Sequence, residues 1–280
     1  MQDFKQKVAV ITGAASGIGE GLAAHAAALG MCLVLADVDA RKLGVVAKRL
    51  AEAGAEVTTR VTDVSDAAEV EALAQLCYDR FGRVDLLFNN AGVLLTGRAW
   101  ERSLDDWRWV LGINLYGVLH GISSFVPRML VQGEPAHIVN TASIAGLIAA
   151  PLNGPYTVSK QGVVALSETL HFELAAQGAA LKVSVICPGP VATAIADSGQ
   201  YRPEDGSAGP ESAEQQAFDA VLRKTIAAGI GVDQLATQVF DAIREERFWV
   251  LPHPDFREPL KRRTESLMTG ANPEFQMAQI

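Results

Sequence analysis

Residues 8–19 read Val8-Ala9-Val10-Ile11-Thr12-Gly13-Ala14-Ala15-Ser16-Gly17-Ile18-Gly19. An apolar, β-branched run comes first, a turn with three glycines follows, and a helical pattern opens at Ile18. Such a strand–turn–helix suits a dinucleotide pyrophosphate. The glycines let the backbone approach closely, and the helix N-terminus offers free N–H groups and the positive end of its dipole. The spacing is G-x3-G-x-G rather than the commoner G-x-G-x-x-G, and a glycine turn alone is also an ordinary tight turn. The flanking strand and helix favour the nucleotide, with Gly13, Ser16, Gly17, Ile18 and Gly19 as its cradle.

Outward from this turn, short β-rich runs alternate with longer helical patterns, as in a parallel sheet built from βαβ units. Strands are expected at Val8–Thr12, Cys32–Ala36, Glu56–Val61, Asp85–Phe88, His137–Thr141, Lys182–Cys187 and Phe248–Leu251. Helices are expected near Ile18–Leu29, Arg41–Ala53, Asp66–Phe81, Leu104–Leu130, Tyr156–Gln177 and Asp233–Glu246. Asp66 with Glu69, and Ser103 with Asp106, have the spacing of capping boxes. The strands are mostly unbroken apolar runs, which implies helices on both faces of the sheet. The fold class is therefore α/β, a Rossmann-type doubly wound, seven-stranded parallel sheet. No repeat or linker divides the chain, so residues 1–280 are read as one domain. Two parts fall outside the alternation: a Gly-, Pro- and charge-rich loop, Ala194–Pro210, expected to be mobile, and a tail beyond Pro252 with a short helical pattern through Phe256, Leu260 and Leu267.

Of the 280 residues 49% are hydrophobic and 20% charged, and the net charge is −8. That is enough apolar material for a large core, and it leaves no basic footprint for nucleic acid. Five scattered histidines have no metal-ligand spacing, so no metal is expected. Three cysteines, each in an apolar stretch, read as reduced thiols. The N-terminal MQDFKQK carries no hydrophobic signal segment. The longest apolar stretch, Gly21 to Ala36, is broken by His25 and Gly30 and reads as helix then strand rather than membrane span. A cytoplasmic protein is expected.

Several side chains converge on the carboxyl ends of the strands, the edge where open α/β sheets bind ligands. Asp37 follows the second strand, where a carboxylate can accept both adenosine-ribose hydroxyls; a turn or cap aspartate is the plainer reading. Asp63, after the third strand, could reach the adenine edge or be a solvated loop acid. Asn89-Asn90-Ala91-Gly92 follows the fourth strand and Ser143 the fifth. Tyr156 and Lys160 form Y-x3-K on one helix face. A phenol with pKa near 10 is a poor base at neutral pH. An ammonium about 4 Å away contributes on the order of 4 kcal/mol at an effective dielectric near 20, enough to bring the phenol near 7. Y-x3-K alone is common; its meeting with the other motifs on one rim gives it meaning.

In these motifs, over about residues 7–195, the chain resembles the short-chain dehydrogenase/reductase family. The resemblance implies hydride transfer between a nicotinamide and a secondary alcohol or ketone, without metal, with Asn114, Ser143, Tyr156 and Lys160 as the catalytic set. By it, Tyr156 is the acid/base and Asn114 positions a water in a proton relay through Lys160. Asp63, Val64, Asn90, Ala91 and Gly92 serve the cofactor site, Pro188 and Gly189 flank the nicotinamide, and Thr193 bonds its carboxamide. NADP-preferring relatives often carry a basic residue in the glycine turn or after the second strand. Here Ala15, Ser16 and Val38 stand there, which favours NAD, although Arg41 lies within reach. The loop 194–210 corresponds to the family's substrate lid. Its length, with Val93-Leu94-Leu95 and Ile144–Ile148 beside the site, suggests a bulky apolar or aromatic small-molecule substrate. The apolar residues around the helix from Tyr156 suggest a homodimer or homotetramer. Rival readings are an NADPH-dependent 3-oxoacyl thioester reductase, a catalytically silent nucleotide sensor of the same fold, and a sugar-nucleotide epimerase.

Overall fold

Seven parallel strands form one sheet in the order β3-β2-β1-β4-β5-β6-β7. They are β1 Val8–Thr12, β2 Cys32–Asp37, β3 Val57–Val61, β4 Leu86–Asn89, β5 Ala136–Thr141, β6 Leu181–Ile186 and β7 Trp249–Val250. The structure is a computed structural model that describes residues 1–203 and 212–275. Every residue of β1, β4 and β5 is buried, because helices cover both faces. On one face pack α1 (Gly17–Ala28), α2 (Ala40–Glu52) and α8 (Val232–Arg244). On the other lie α3 (Ala67–Phe81), α5 (Gly117–Gln132) and α6 (Gly154–Ala176). The doubly wound, parallel Rossmann-type sheet expected from the sequence is the one observed. Strand order reverses between β1 and β4, which opens a crevice at their carboxyl ends.

Three local features depart from the expectations. The helix expected over Leu104–Leu130 runs to Gln132 and is interrupted by a π turn, Gly112–Tyr116, between α4 (Leu104–Leu111) and α5. This helix is long and apolar enough to cross a membrane by length and composition, yet 44% of that apolar window is buried inside the fold. The last strand shrinks from four residues to two, because β7 is an edge that pairs with β6 alone. Ser103 and Asp106 form a full capping box, whereas Glu69 bonds the N–H of Asp63 instead of completing one with Asp66. Within the loop read as mobile, Ile195–Tyr201 forms 3-10 turns, and residues 204–211 lie outside the described part. Two further helices close the chain: α7 (Ala213–Ala227), which the sequence pattern did not announce, and α9 (Arg257–Thr269), where the tail's short pattern pointed.

Candidate active site

The turn after β1 is fixed by sterics. Gly13 and Gly17 have φ of +64° and +55°, in the region L side chains avoid. A Cβ on Gly19 would lie 2.1 Å from the Gly13 carbonyl oxygen, so α1 can start this close to the turn only with glycine. Ser16 precedes α1 with extended backbone and its side chain makes no cap bond, so it takes up none of the helix's first N–H groups. Those donors face a crevice whose floor is knitted by Asn90. Its Nδ2 donates to the Thr12 carbonyl at 3.0 Å, and its Oδ1 accepts from Thr141 Oγ1 at 3.2 Å. Thr12 Oγ1 in turn accepts the N–H groups of Asn90 and Ala91. One side chain thus joins the ends of β1, β4 and β5. Thr12 shares that task, although only the glycines after it drew attention in the sequence.

A single cavity of about 710 Å³ runs along this rim. At one end it is lined by Gly13, Ser16, Gly17, Ile18, Asp37, Asp63 and Val64, and at the other by Ser143, Tyr156 and Lys160. Asn90, Ala91, Gly92, Pro188, Gly189 and Thr193 line the stretch between. Every site residue expected from the sequence except Gly19 and Asn114 therefore lines one space, and those two sit directly behind its wall.

At the first end, Asp37 accepts the N–H groups of Ala15 (3.0 Å) and Asp39 (2.9 Å), so it ties the glycine turn to the end of β2. Burial pushes its carboxyl up, and those two N–H bonds pull it back. The basic side chain at this end of the cavity, among the described residues, is Lys42, not Arg41. Lys42 donates to the Tyr201 hydroxyl at 2.8 Å, and the same hydroxyl reaches Asp39 at 3.2 Å. One oxygen of Asp63 is held by Ser65. Thr193 sets its methyl against the turn, since a Cβ on Gly17 would be 3.1 Å from it.

At the other end, α6 brings Tyr156 and Lys160 to one side a single turn apart. Lys160 is buried, donates to the Thr141 carbonyl at 2.8 Å, and lies 5.7 Å from the Tyr156 ring centroid. Burial pushes the Lys160 ammonium down to about 8. Burial also pushes the Tyr156 phenol up, and the neighbouring Ser143 hydroxyl pulls it back. Ser143 starts the turn after β5, where its Oγ accepts the Ala145 N–H at 3.2 Å. Asn114 sits in the π turn, a backbone irregularity common at functional sites. Its Oδ1 accepts from Val93 N, and its Nδ2 donates to the Val93 carbonyl and to Ser159 Oγ. The amide thus holds the Gly92–Val93 segment of the loop after β4. A Cβ on Gly92 would lie 3.3 Å from Asn114 Oδ1 and 3.4 Å from Lys160 Nζ, so this glycine lets both groups close in.

Among the described residues, the charged side chains lining the cavity are Asp37, Lys42, Asp63 and Lys160. The first three stand at the glycine-turn end. The lining also includes the apolar side chains Leu94, Ile148, Phe218 and Leu222. Uncapped helix N–H groups, a glycine wall and a carboxylate after β2 fit a dinucleotide without a 2′-phosphate.

A family model for short chain dehydrogenases matches residues 7–202. The chain is 34% identical over 281 residues to the "CLA biosynthesis dehydrogenase/reductase" of Lactiplantibacillus plantarum, covering 99% of this chain and 98% of that one. It is 32% identical to the "C alpha-dehydrogenase" of Sphingobium sp. (strain NBRC 103272 / SYK-6), with 98% and 89% covered. A crystal structure of a short chain dehydrogenase/reductase from Burkholderia phymatum in complex with NAD superposes with a TM-score of 0.96. It has 46% identity, and 99% of each chain is covered.

Proposed function

This chain belongs to the short-chain dehydrogenase family, and from that premise we propose that it is an NAD-dependent oxidoreductase of uncharged secondary alcohols and ketones. The observation that carries the reading is the single cavity with Tyr156, Ser143 and Lys160 at one end and the glycine turn with Asp37 at the other. The NAD in the crystal structure of the Burkholderia relative supports the choice of cofactor.

Bound NAD supplies the hydride acceptor for oxidation and, in its reduced form, the donor for reduction. Gly13, Ser16, Gly17, Ile18 and Gly19 would hold its pyrophosphate, with Asp37 on the adenosine ribose and Asp63 and Val64 toward the adenine. Asn90, Ala91, Gly92, Pro188, Gly189 and Thr193 would line its nicotinamide half. In reduction Tyr156 gives its phenolic proton to the substrate oxygen, and in oxidation it takes the proton back. Ser143 donates a hydrogen bond to the same oxygen and so stabilises its developing negative charge. Lys160 lowers the energy of the phenolate. An ammonium about 5 Å from the phenolate is worth about 3 kcal/mol at an effective dielectric near 20. Burial of the phenol works against this, so the lysine offsets a cost that the site itself imposes. Asn114 keeps the Gly92–Val93 loop segment against Lys160.

The apolar side chains Leu94, Ile148, Phe218 and Leu222 in the lining support a bulky apolar or aromatic substrate, because a carboxylate or phosphate packed among them would lose its hydration. The reading also takes the protein as a cytoplasmic homodimer or homotetramer. Its support is the three free cysteines and the exposed Val158 and Phe172 on α6. The test is a panel of secondary alcohols and ketones offered with each cofactor while the absorbance of reduced nicotinamide is followed. Turnover with NAD(H) preferred is expected. Turnover of none, or a preference for NADP(H) supported by Lys42, overturns the proposal.

A further inference from the structure

The segment beyond β7 reaches the same cavity. His253 faces the strip Gly189-Pro190. Its Nδ1 accepts the Gly189 N–H at 3.0 Å, and its Nε2 lies 2.9 Å from the Pro190 carbonyl oxygen. Those two partners require the imidazole to carry its proton on Nε2. After a single 3-10 turn, Pro254–Phe256, the ring of Phe256 lies on the same glycine. A Cβ on Gly189 would be 2.5 Å from Phe256 Cε2 and 3.1 Å from His253 Cγ, so only glycine leaves room for this seat.

The strip so clamped is also part of the site. The Pro188 carbonyl accepts the Ile144 N–H at 2.8 Å and Ser143 Oγ at 3.4 Å. Pro188, Gly189, Phe256, Pro259 and Phe275 all line the cavity. α9 buries none of its residues fully, so its packing on the body does not explain why the tail lies there. Phe275 remains about half exposed (48%) although it borders the cavity. An aromatic left in that position gains cover only when something apolar enters beside it.

We propose that the tail is the outer wall of the substrate end, and that Phe256, seated on Gly189 by His253, stacks on an aromatic or fused-ring part of the substrate, with Phe275 beyond it. Phe256 and Phe275 are then specificity-determining residues, and His253 is a positioning residue that acts through Phe256 and the Pro188–Pro190 strip. This rests on the oxidoreductase reading for the identity of the substrate's reacting group, but not for the shape and polarity of the part bound.

The test uses NADH-loaded full-length protein and two ketones, 2-butanone and 2-acetylnaphthalene. In Phe256→Ala the ratio of kcat/KM for the naphthyl ketone over that for 2-butanone should fall roughly tenfold, the scale for removing a buried ring's contact. Deleting residues 273–280 should move the ratio the same way by less, and it decides the matter if the Phe256 variant fails to fold. His253→Ala should lower the same ratio. His253→Asn should restore much of it, because the amide oxygen can still accept the Gly189 N–H, while NADH affinity changes less than the ratio. Calorimetric titration of 2-acetylnaphthalene into the complex with oxidised NAD, from which no hydride can pass to a ketone, separates the two claims. Binding without turnover sinks the oxidoreductase reading, and binding weakened by Phe256→Ala still supports the tail. An unchanged ratio or affinity in the variants, or no binding of the naphthyl ketone to wild type, overturns the inference.

Discussion

Replacing Lys160 by Met should make the cofactor-free protein more stable and nearly stop turnover. Lys160 is 2% exposed, its ammonium contacts the Thr141 carbonyl, and burial lowers its pKa from 10.5 to about 8. In the unfolded chain the group keeps its proton up to its ordinary value, whereas in the folded chain it sheds the proton above about 8. Between those values folding releases a proton, so stability rises with pH. Below about 8 the full cost of burying the charge is present. The fall from 10.5 to about 8 corresponds to about 3 kcal/mol. Met fills the same stem volume and gives up the bond to Thr141, a loss of about 1 kcal/mol. The net gain is about 2 kcal/mol at pH 7, or roughly 4–8 °C in Tm for a chain of this size. Thermal melts of wild type and Lys160→Met at pH 7 and pH 10 check it. The variant should melt higher at pH 7, and the gap should narrow at pH 10. Its kcat should fall about 100-fold, since about 3 kcal/mol of phenolate stabilisation is lost. A variant that melts at or below wild type at pH 7 refutes the reasoning.

Ser143→Ala should lower kcat/KM by about 100-fold, the usual loss for one donor to a developing oxyanion, with NADH affinity retained; an unchanged kcat/KM removes Ser143 from the mechanism. Asp37→Asn should weaken NAD binding and narrow the gap to NADP, because the charge that opposes a 2′-phosphate is gone. Side-by-side kcat/KM values for both cofactors read this out, and an unaltered ratio would show that Asp37 serves only the Ala15 and Asp39 N–H groups.

The chain's local rules were legible where local physics decides. The β1–turn–α1 unit, the strand positions and the meeting of Asp37, Asn90, Ser143, Tyr156 and Lys160 on one rim follow from period, glycine placement and the geometry of parallel sheets. What escaped depends on contacts far apart in sequence. The π turn at Asn114 gives no local signal, since its side chain answers to Val93 and Ser159. α7 buries only Gln215 and Ile226, so its apolar stripe is too thin to announce a helix. Lys42 rather than Arg41 enters the cavity because Tyr201, 159 residues away, holds it. His253 read as one of five scattered histidines. Its placement between Pro252 and Pro254 was the one hint that its ring is held in a fixed direction.

The most direct measurement of the central claim is the turnover of Tyr156→Phe beside wild type, with NADH binding measured on both. The phenyl ring fills the same space and only the proton donor is lost. The account predicts NADH affinity close to that of wild type and kcat below about a tenth of it on any ketone the wild type reduces. A variant that keeps more than that fraction would show that another group moves the proton, and Tyr156 would no longer be the acid/base of this site.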